Sequence, residues 1–403
     1  MRASRSCPSL PSIVNQTYTA LSTDRDSQRA GARLASDIRA AFGGASPHAV
    51  IVFASSSHDC GRLLQALRQG VGNDAILTGA SSAGEFTHGE QTEGAVSALA
   101  LRSSSLQFAL GVGRNVQASP AQAARDVVSG FRGMAAGALP YRAAMVMTDA
   151  LAGYADEVVD GLTLATGGGY SFFGGGAGDD GHFKQTHVFA GTEVLGNAVV
   201  ALEILSPSPI GVGVAHGWDP VGDGYRVTEA DGVRVVSLNG MPAADVIAQY
   251  AEATGQLFDR ADPLPFFLHN ILGIHSPSGY RLRVPLGVDA DGTLLCAAAV
   301  PRGAVVHLMK TSAESAVSAA RQATQHALQA LQGGRPAVGL VFDCVATRLR
   351  LGHAFRNELD ACAELLQPAQ FVGCNTYGQI ARAEGQFGGF HNCTAVVCVL
   401  PQA

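Results

Sequence analysis

The chain has 403 residues, of which 47% are hydrophobic and only 15% charged, so a disordered chain is excluded and two or three folded domains are expected. The formal net charge is −6 and no run of lysine or arginine forms a basic stripe, so a nucleic-acid partner is not expected. No segment of about 18 apolar residues is free of charges and breakers, so no membrane insertion is expected.

The N-terminus and the cysteines both indicate a reducing, cytoplasmic compartment. Residues 1–14 carry two arginines with no apolar segment behind them, which predicts a disordered tail and not a signal peptide. The eight cysteines include no C-x-x-C pair, and several lie in apolar runs such as Val397–Val399. We therefore expect free, buried thiols and neither a disulfide framework nor a zinc site.

A strand–helix–strand unit recurs three times along the chain. Each copy has an apolar run, a helix-like stretch with its apolar residues on one face, and a second apolar run. Each then ends in a glycine corner, at Gly79–Phe86, Gly174–Asp180 and Gly373–Ile380. The predicted strands are 49–53, 75–77, 144–147, 171–173, 337–342 and 371–372, and the predicted helices are about 58–70, 154–164 and 351–366.

This repeat predicts an α/β fold. Continuous apolar strands that alternate with helices are typical of parallel strands covered by helices. Further runs between the copies, such as 95–101 and 198–205, predict antiparallel strands. We therefore expect two related domains with mixed, partly parallel sheets covered by helices. A boundary near 217–232 divides the chain into domains over 15–225 and 226–403.

The glycine corners are the best candidates for a binding site, because ligands of parallel sheets bind beyond the carboxyl ends of the strands. A carboxylate on a corner would pair with a ligand ammonium, while backbone N–H groups and serine hydroxyls bind its carboxylate. The alternative is that these acids and small polar residues only cap turns and helix starts. The candidate ligand-binding residues are Ser81, Ser82, Glu85, Asp149, Tyr154, Gly176, Asp179, Asp180, Asn375, Tyr377 and Gln379.

Two short motifs point to enzymes and are weaker. Residues 176–181 fit G-x-G-x-x-G, but a dinucleotide site needs this motif to open a helix, and the residues that follow predict a strand. Ala80–Gly84 is similar to a nucleophile elbow, with Ser82 as the nucleophile. Because residues 85–90 do not start an amphipathic helix, a serine hydrolase is kept only as an alternative.

Six short segments, in order and spacing, resemble the FIST family of sensory proteins, with an N-terminal and a C-terminal FIST domain on either side of the boundary given above. The segments are GASSAGEF at 79–86, SFFGGGAGDD at 171–180, AHGWDP at 215–220, VSLNGMPA at 236–243, GCNTYGQIA at 373–381 and FHNCTAVV at 390–397.

The resemblance implies a cytoplasmic, non-catalytic sensor of small molecules such as amino acids. It also implies signal transduction through a separate partner, such as the histidine kinase of a two-component system. One subgroup resembles haem proteins that sense nitric oxide. If haem is bound here, His391 is the first candidate for its ligand, and otherwise neither a metal nor a cofactor is expected. Gln379 stands where an acidic residue is common in the family.

Overall fold

The computed structural model describes residues 15–276, 279–382 and 389–402, so the tail predicted over 1–14 lies outside the described residues. Within them the α-helices are α1 Ser27–Ala41, α2 Cys60–Val71, α3 Pro120–Ser129, α4 Ala155–Ala165, α5 Ala243–Ala253, α6 Leu264–Phe267, α7 Ala313–Ala330, α8 Val345–Leu351 and α9 Arg356–Leu366. None of these helices is both long and apolar enough to cross a membrane.

The strands of the described residues, in chain order, are β1 Asn15–Ser22, β2 Ala49–Ser55, β3 Ile76–Ser82, β4 Glu85–Thr87, β5 Gln91–Thr92, β6 Val96–Ser103, β7 Gln107–Arg114, β8 Tyr141–Thr148, β9 Ser171–Gly176, β10 Val188–Ala190, β11 Glu193–Leu195, β12 Ala198–Ser206, β13 Gly211–Ala215, β14 Trp218–Asp231, β15 Arg234–Leu238, β16 Met241–Pro242, β17 Ile271–Ser276, β18 Gly279–Arg283, β19 Pro285–Val288, β20 Leu294–Cys296, β21 Val305–Thr311, β22 Pro336–Cys344, β23 Gln370–Thr376, β24 Gln379–Arg382, β25 Gly389–His391 and β26 Ala395–Pro401.

Three sheets in the described part of the chain follow one plan. Each has six strands around a parallel pair, which is β2 with β3, β8 with β9, or β22 with β23. The strand orders are β1-β6-β2-β3-β10-β11, β25-β24-β9-β8-β12-β7 and β13-β26-β22-β23-β4-β5. Helices α1 and α2 cover the first sheet, α3 and α4 the second, and α7 and α9 the third. The predicted α/β fold with mixed, partly parallel sheets is confirmed. We call the three pairs with their helices units 1, 2 and 3.

After its glycine corner, each unit gives its next strand to the sheet of another unit. Strand β4 of unit 1 pairs with β23 of unit 3, β10 of unit 2 pairs with β3, and β24 of unit 3 pairs with β9. Equivalent glycines begin the three corners, at Gly79, Gly174 and Gly373. A Cβ at any of them would lie 1.8–2.1 Å from a backbone oxygen of the neighbouring strand. Only glycine therefore fits at this point of each parallel pair.

The inner faces of the three sheets share one hydrophobic core. Every residue of β2 is buried, as expected for a strand covered on both faces. The ring of Phe53 meets that of Phe342 edge-on with 5.5 Å between centroids, and Phe342 also contacts Phe173 at 6.2 Å. Because burial of one such side chain contributes about 1.5–3 kcal/mol, the units stabilise one another and hold the corners on a rigid base.

The helix predicted over 351–366 is divided in the structure. Helix α8 ends at Leu351, a 3₁₀ turn occupies Gly352–Phe355, and α9 follows. Gly352 has φ 54, a left-handed conformation that an α-helix does not continue through and that glycine adopts at little cost. Helix α8 starts at Val345, directly after β22 ends, so Cys344 lies at the junction of strand and helix.

A further antiparallel sheet is inserted between β13 and α7. Its strand order is β18-β17-β21-β14-β15-β20-β19, with β16 beside β15, and its apolar side chains pack with those of α5 and α6. Strand β14 leads out of the α/β core and β21 leads back, paired at Trp218 and Thr311. We call this sheet with its two helices the inserted β unit. The boundary predicted between residues 225 and 226 lies inside β14.

Candidate functional site

The three glycine corners meet at the carboxyl ends of the parallel strands. Equivalent backbone bonds join them in a ring, from the N–H of Ala83 to the oxygen of Asn375 (2.9 Å), from Gly178 to Ser81 (2.9 Å) and from Tyr377 to Gly176 (3.0 Å). The structure thus brings together corners that are far apart in sequence. Gly176 and Asn375 take part through their backbone, and the Asn375 side chain is fully buried.

Glu85 and Gln379 occupy equivalent positions at the start of the exchanged strands β4 and β24, with no exposed surface. Ser82 Oγ lies 2.5 Å from Glu85 Oε1, and Gln379 Nε2 donates to Thr376 Oγ1 at 2.9 Å. Glu85 Oε2 accepts the backbone N–H of Ala95 at 3.0 Å, and Gln379 Oε1 accepts that of Thr394 at 3.2 Å, in each case just before the next long strand. Both side chains therefore fasten a corner to the strand that follows it.

Glu85 behaves as a neutral group in this setting. Burial raises its pKa to about 8, against the hydrogen bonds from Ser82 and Ala95 that lower it. At neutral pH the carboxyl is therefore mostly protonated and makes the two bonds that the Gln379 amide makes. Since it touches no open space, the structure does not bring Glu85 to a ligand ammonium.

The carboxylates of Asp149, Asp179 and Asp180 also bind nearby polar groups of the chain. Asp149 accepts the N–H groups of Leu151 at 3.2 Å and Asn197 at 2.6 Å. Asp180 accepts three hydrogen bonds of 2.5–2.8 Å from Ser55, at the end of β2, and from Ser56 in the turn that follows. For Asp149 and Asp180 this is the turn-capping role that the sequence left open as the alternative.

Asp179 organises the loop that follows it. Its Oδ1 accepts the N–H of Phe183 at 2.8 Å and the hydroxyl of Tyr377. Its Oδ2 accepts the N–H groups of Lys184 at 2.6 Å and Gln185 at 2.9 Å. Burial acts to raise the pKa of Asp179, but the hydrogen bonds from Tyr377 and the three backbone groups lower it overall. The charged Asp179 carboxylate therefore holds the backbone of residues 183–185 in place.

Asp179→Ala is expected to free the loop. The amides of Phe183, Lys184 and Gln185 would lose their acceptor, so their hydrogen exchange should accelerate about 10–100-fold, equivalent to about 1.4–2.8 kcal/mol. Hydrogen–deuterium exchange with peptide mass spectrometry measures this. Lys184→Ala is the control, because the exposed Lys184 side chain lies on the same loop. Unchanged exchange in Asp179→Ala would show that other contacts hold the loop.

A cavity of about 450 Å³ opens beside this loop and contains two of the predicted residues, Tyr154 and Tyr377. Its walls come from the starts of α4 and α8, the corner of unit 3 and strands of the inserted β unit. We call it the apolar cavity, because apolar side chains dominate its lining. Leu151, Val233 and Leu286 are exposed apolar residues at its edge. Exposed apolar groups that gather at one opening mark a binding surface.

Two aromatic residues of this cavity have a left-handed backbone. Tyr154 has φ 60 and is 48% exposed, and Phe183 has φ 53 and is 40% exposed. The Phe183 ring stacks on that of Tyr377, with 4.4 Å between centroids and 15° between planes. Bulky side chains rarely adopt a left-handed backbone, and such strain concentrates at ligand clamps and active sites. The strain therefore makes the opening of this cavity the candidate site.

A second cavity, of about 490 Å³, lies between units 1 and 2. It contains Ser81 and Asp179 of the predicted set, and its other lining residues are mainly polar, including His58, His182 and Lys184. Within the residues that the structure describes, no three His, Cys, Asp or Glu side chains are close enough to hold a metal ion. The predicted residues are thus divided between two cavities and a buried junction.

Neither Phe183 nor the walls supplied by the inserted β unit could be recognised in the sequence. A positive φ at an aromatic residue has no composition signal. Residues Asp231–Arg234 and Ala297–Ala299 come from a different sheet, and their patterns indicate only strands and turns. The exposed apolar side chains are the one signal that would have helped, and it needs the fold to be known.

Neither enzyme motif acquires the geometry that its chemistry needs. After β9 the residues of the G-x-G-x-x-G match form a turn and not a helix, so they provide no phosphate-binding helix N-terminus. Ser82 is fully buried and its Oγ is hydrogen-bonded to Glu85. A nucleophile must reach its substrate, so this geometry gives the hydrolase alternative no support.

The residues around His391 do not fit a haem. His391 is 3% exposed, and burial together with Arg283 and Arg281 lowers its pKa to about 3. Its neighbours Phe390 and Asn392 line the apolar cavity, whereas His391 borders neither cavity described above. An axial ligand must face an open apolar pocket.

The fold and its cavities define a protein of three strand-exchanged α/β units with an inserted β unit over one opening. Residues 48–241 match the FIST N domain and residues 243–382 match the FIST C domain. The chain therefore belongs to the FIST family, whose domains are associated with sensing in signal transduction. The resemblance found in the six sequence segments is confirmed.

The chain is similar to curated mycobacterial proteins that are named as uncharacterised. The chain is 25% identical over 216 residues to a protein of Mycobacterium tuberculosis, which covers 52% of this chain and 56% of that protein. It is 25% identical over 216 residues to a Mycobacterium bovis protein, covering 52% and 55%. The chain thus matches about half the length of the curated relatives.

Solved structures show only distant likeness. Cyanuric acid hydrolase from A. caulinodans aligns over 96% of this chain and 100% of that chain, with 10% identity and a TM-score of 0.34. Phosphoribosylformylglycinamidine synthase II from Thermotoga maritima aligns over 97% and 72%, with 11% identity and a TM-score of 0.24. These values carry no chemistry over to this chain.

Proposed function

We propose that the chain is a non-catalytic sensor that binds a small molecule in the apolar cavity. The observation that carries this proposal is the pair of strained, exposed aromatic residues, Tyr154 and Phe183, at the opening of a 450 Å³ cavity. Pockets for small ligands usually measure about 300–1,000 Å³ and are lined by apolar and aromatic groups with a few polar ones.

An amino acid or a similar metabolite suits this cavity. Helix α4 begins at its wall, and its N-cap residue Tyr154 makes no side-chain capping bond. The first N–H groups of such a helix attract a carboxylate. Glu157 and Asp231 also line the cavity and provide charges for an ammonium group, while the aromatic side chains provide apolar contact.

The signal arises from the position of the cavity between the α/β core and the inserted β unit. A ligand that touches both favours the arrangement in which both walls are in place, and only such differential affinity shifts a conformational equilibrium. We propose that this change is transmitted in the cytoplasm to a separate protein, such as the histidine kinase of a two-component system.

Tyr154→Ala and Phe183→Ala are each expected to weaken ligand binding about tenfold or more, because each removes an aromatic wall worth about 1.4 kcal/mol or more. The measurement is a thermal-shift screen of the wild-type protein against amino acids and other small metabolites. Titration of the variants with the compound that stabilises the wild type follows.

Leu164→Ala is the matched control, because Leu164 is 84% exposed on α4 and does not line the cavity. It should bind like the wild type. The cavity assignment fails if the stabilising compound binds both aromatic variants as tightly as the control. The sensor proposal itself fails if no compound stabilises the folded wild-type protein.

A further inference from the structure

Cys344 lies where strand β22 ends, and it lines the wall of the apolar cavity. Its counterparts in units 1 and 2 are Ser55 and Asp149. Each of the three lies three residues after the residue that pairs with the equivalent glycine of its unit. The proposed ligand-binding role makes no use of this thiol.

In unit 2 the position equivalent to Cys344 holds a carboxylate that accepts backbone N–H groups. The carboxylate of Asp149 accepts the N–H of Leu151, two residues on, and the N–H of Asn197 from the turn before the next strand. In unit 3 the backbone N–H groups of Ala346, also two residues on, and of Cys393 act on the Cys344 sulfur and lower the pKa of that thiol. The position that holds an anionic oxygen in unit 2 thus holds a sulfur in unit 3. The N–H groups around this position favour the thiolate form of Cys344.

Cys393 occupies an unusual backbone position beside Cys344. It precedes β26 with φ 51, and its counterparts before the equivalent strands are Gly94 with φ 71 and Asn197 with φ 47. Glycine and asparagine are the residue types that adopt this conformation readily, whereas cysteine is not. Cys393 packs in one buried cluster with Cys344, and its thiol lowers the pKa of Cys344. The backbone strain therefore places a second thiol against the first.

Cys344 differs from the other cysteines in the described residues. The hydrogen bond from the Cys393 thiol lowers the pKa of Cys344 to about 6, although burial opposes it. The pKa of Cys393 is raised, first by its interaction with Cys344 and then by burial. Burial also raises the pKa of the remaining five, which are Cys60, Cys296, Cys362, Cys374 and Cys398. The cavity that Cys344 lines opens beside the exposed Tyr154 and Phe183, so a small reagent has a route to it.

We propose that Cys344 and Cys393 are a reactive dithiol that a hydroperoxide oxidises to a disulfide at the wall of the apolar cavity. The Cys344 thiolate attacks the peroxide, the S–O bond forms, and the O–O bond breaks to release an alcohol or water that takes up one proton. The resulting sulfenic acid is attacked by Cys393. The S–S bond then forms, and the hydroxide leaves as water with the Cys393 proton. Two electrons pass from the thiols to the peroxide.

The test uses the reduced, full-length protein. At pH 7 iodoacetamide is expected to modify Cys344 at least about tenfold faster than Cys398, because a thiolate is the reacting species. After treatment with hydrogen peroxide, non-reducing peptide mass spectrometry should show one disulfide, between Cys344 and Cys393. Cys398→Ser should leave this disulfide unchanged, since Cys398 lies on the same short C-terminal segment but is inert.

Cys393→Gly separates the two chemical steps and protects the fold, because glycine is the residue of unit 1 at this left-handed position. Its Cys344 should stop at the sulfenic acid, which dimedone traps. The proposal is overturned if Cys344 reacts no faster than Cys398. It is also overturned if peroxide links other cysteines or leaves both thiols free in the wild type. None of these readouts involves a ligand, so the result is independent of the proposed sensor function.

Discussion

Arg283→Met is expected to lower the free energy of unfolding by about 3–5 kcal/mol, the usual loss when one partner of a buried ion pair is removed. Arg283 is 1% exposed, and its Nη2 donates to Asp156 at 2.8 Å. Its other N–H groups donate to the backbone oxygens of Leu282, Ala299 and Phe390 at 2.9–3.2 Å. One guanidinium thus joins unit 2, unit 3 and the inserted β unit beneath the apolar cavity.

Methionine keeps most of the side-chain stem, so the loss measures the hydrogen bonds and the charge more than the packing. Arg281→Met is the matched control. Arg281 lies on the same strand, is 45% exposed, and its nitrogen is 4.0 Å from Asp156, so its removal should cost less than about 1 kcal/mol. Urea unfolding of both variants measures the difference. If Arg283→Met and Arg281→Met are equally stable, Arg283 does not hold the inserted β unit in place.

The convergence of the corners could be predicted because it depends on local patterns. Apolar runs, helical periodicity and glycine-rich ends are all visible in sequence, and parallel strands place their carboxyl ends together. The same patterns do not reveal which side chains remain accessible. Strand exchange buries Ser82 and Glu85 at the junction, and it depends on pairing between β4 and β23, whose residues are far apart in the chain.

The apolar cavity could not be predicted because its walls meet only in three dimensions. Tyr154 was found because it follows a predicted strand, whereas Phe183 is placed by the bonds of Asp179 to the loop backbone. The inserted β unit contributes through Leu286 and neighbouring strands, although its sequence shows only strands and turns. The sequence thus predicts a site at the carboxyl ends of the parallel strands, but it does not predict the apolar cavity beside them.

Glu85→Gln should remove the pH dependence of stability that the buried Glu85 side chain contributes. The folded-state pKa of Glu85, about 8, lies above its ordinary value of 4.5. The folded protein therefore binds this proton more tightly than the unfolded chain does. Its contribution to stability is complete below about pH 4.5 and is lost as the pH rises to 8, with a total on the order of 5 kcal/mol.

Glu85→Gln keeps both hydrogen bonds, as Gln379 shows at the equivalent position, and has no proton to lose. It should match the wild type near pH 5 and exceed it in stability at pH 8–9. Burial also raises the pKa of Glu358, to about 7, and raises that of its neighbour Asp343 well above the usual range, so the variant should retain part of the decline. The reverse change, Gln379→Glu, should steepen the decline. Urea unfolding from pH 5 to 9 measures all three proteins. A Glu85→Gln protein less stable than the wild type at pH 8–9 would mean that Glu85 is needed as a charge, and a ligand-binding carboxylate in this corner would again have to be considered.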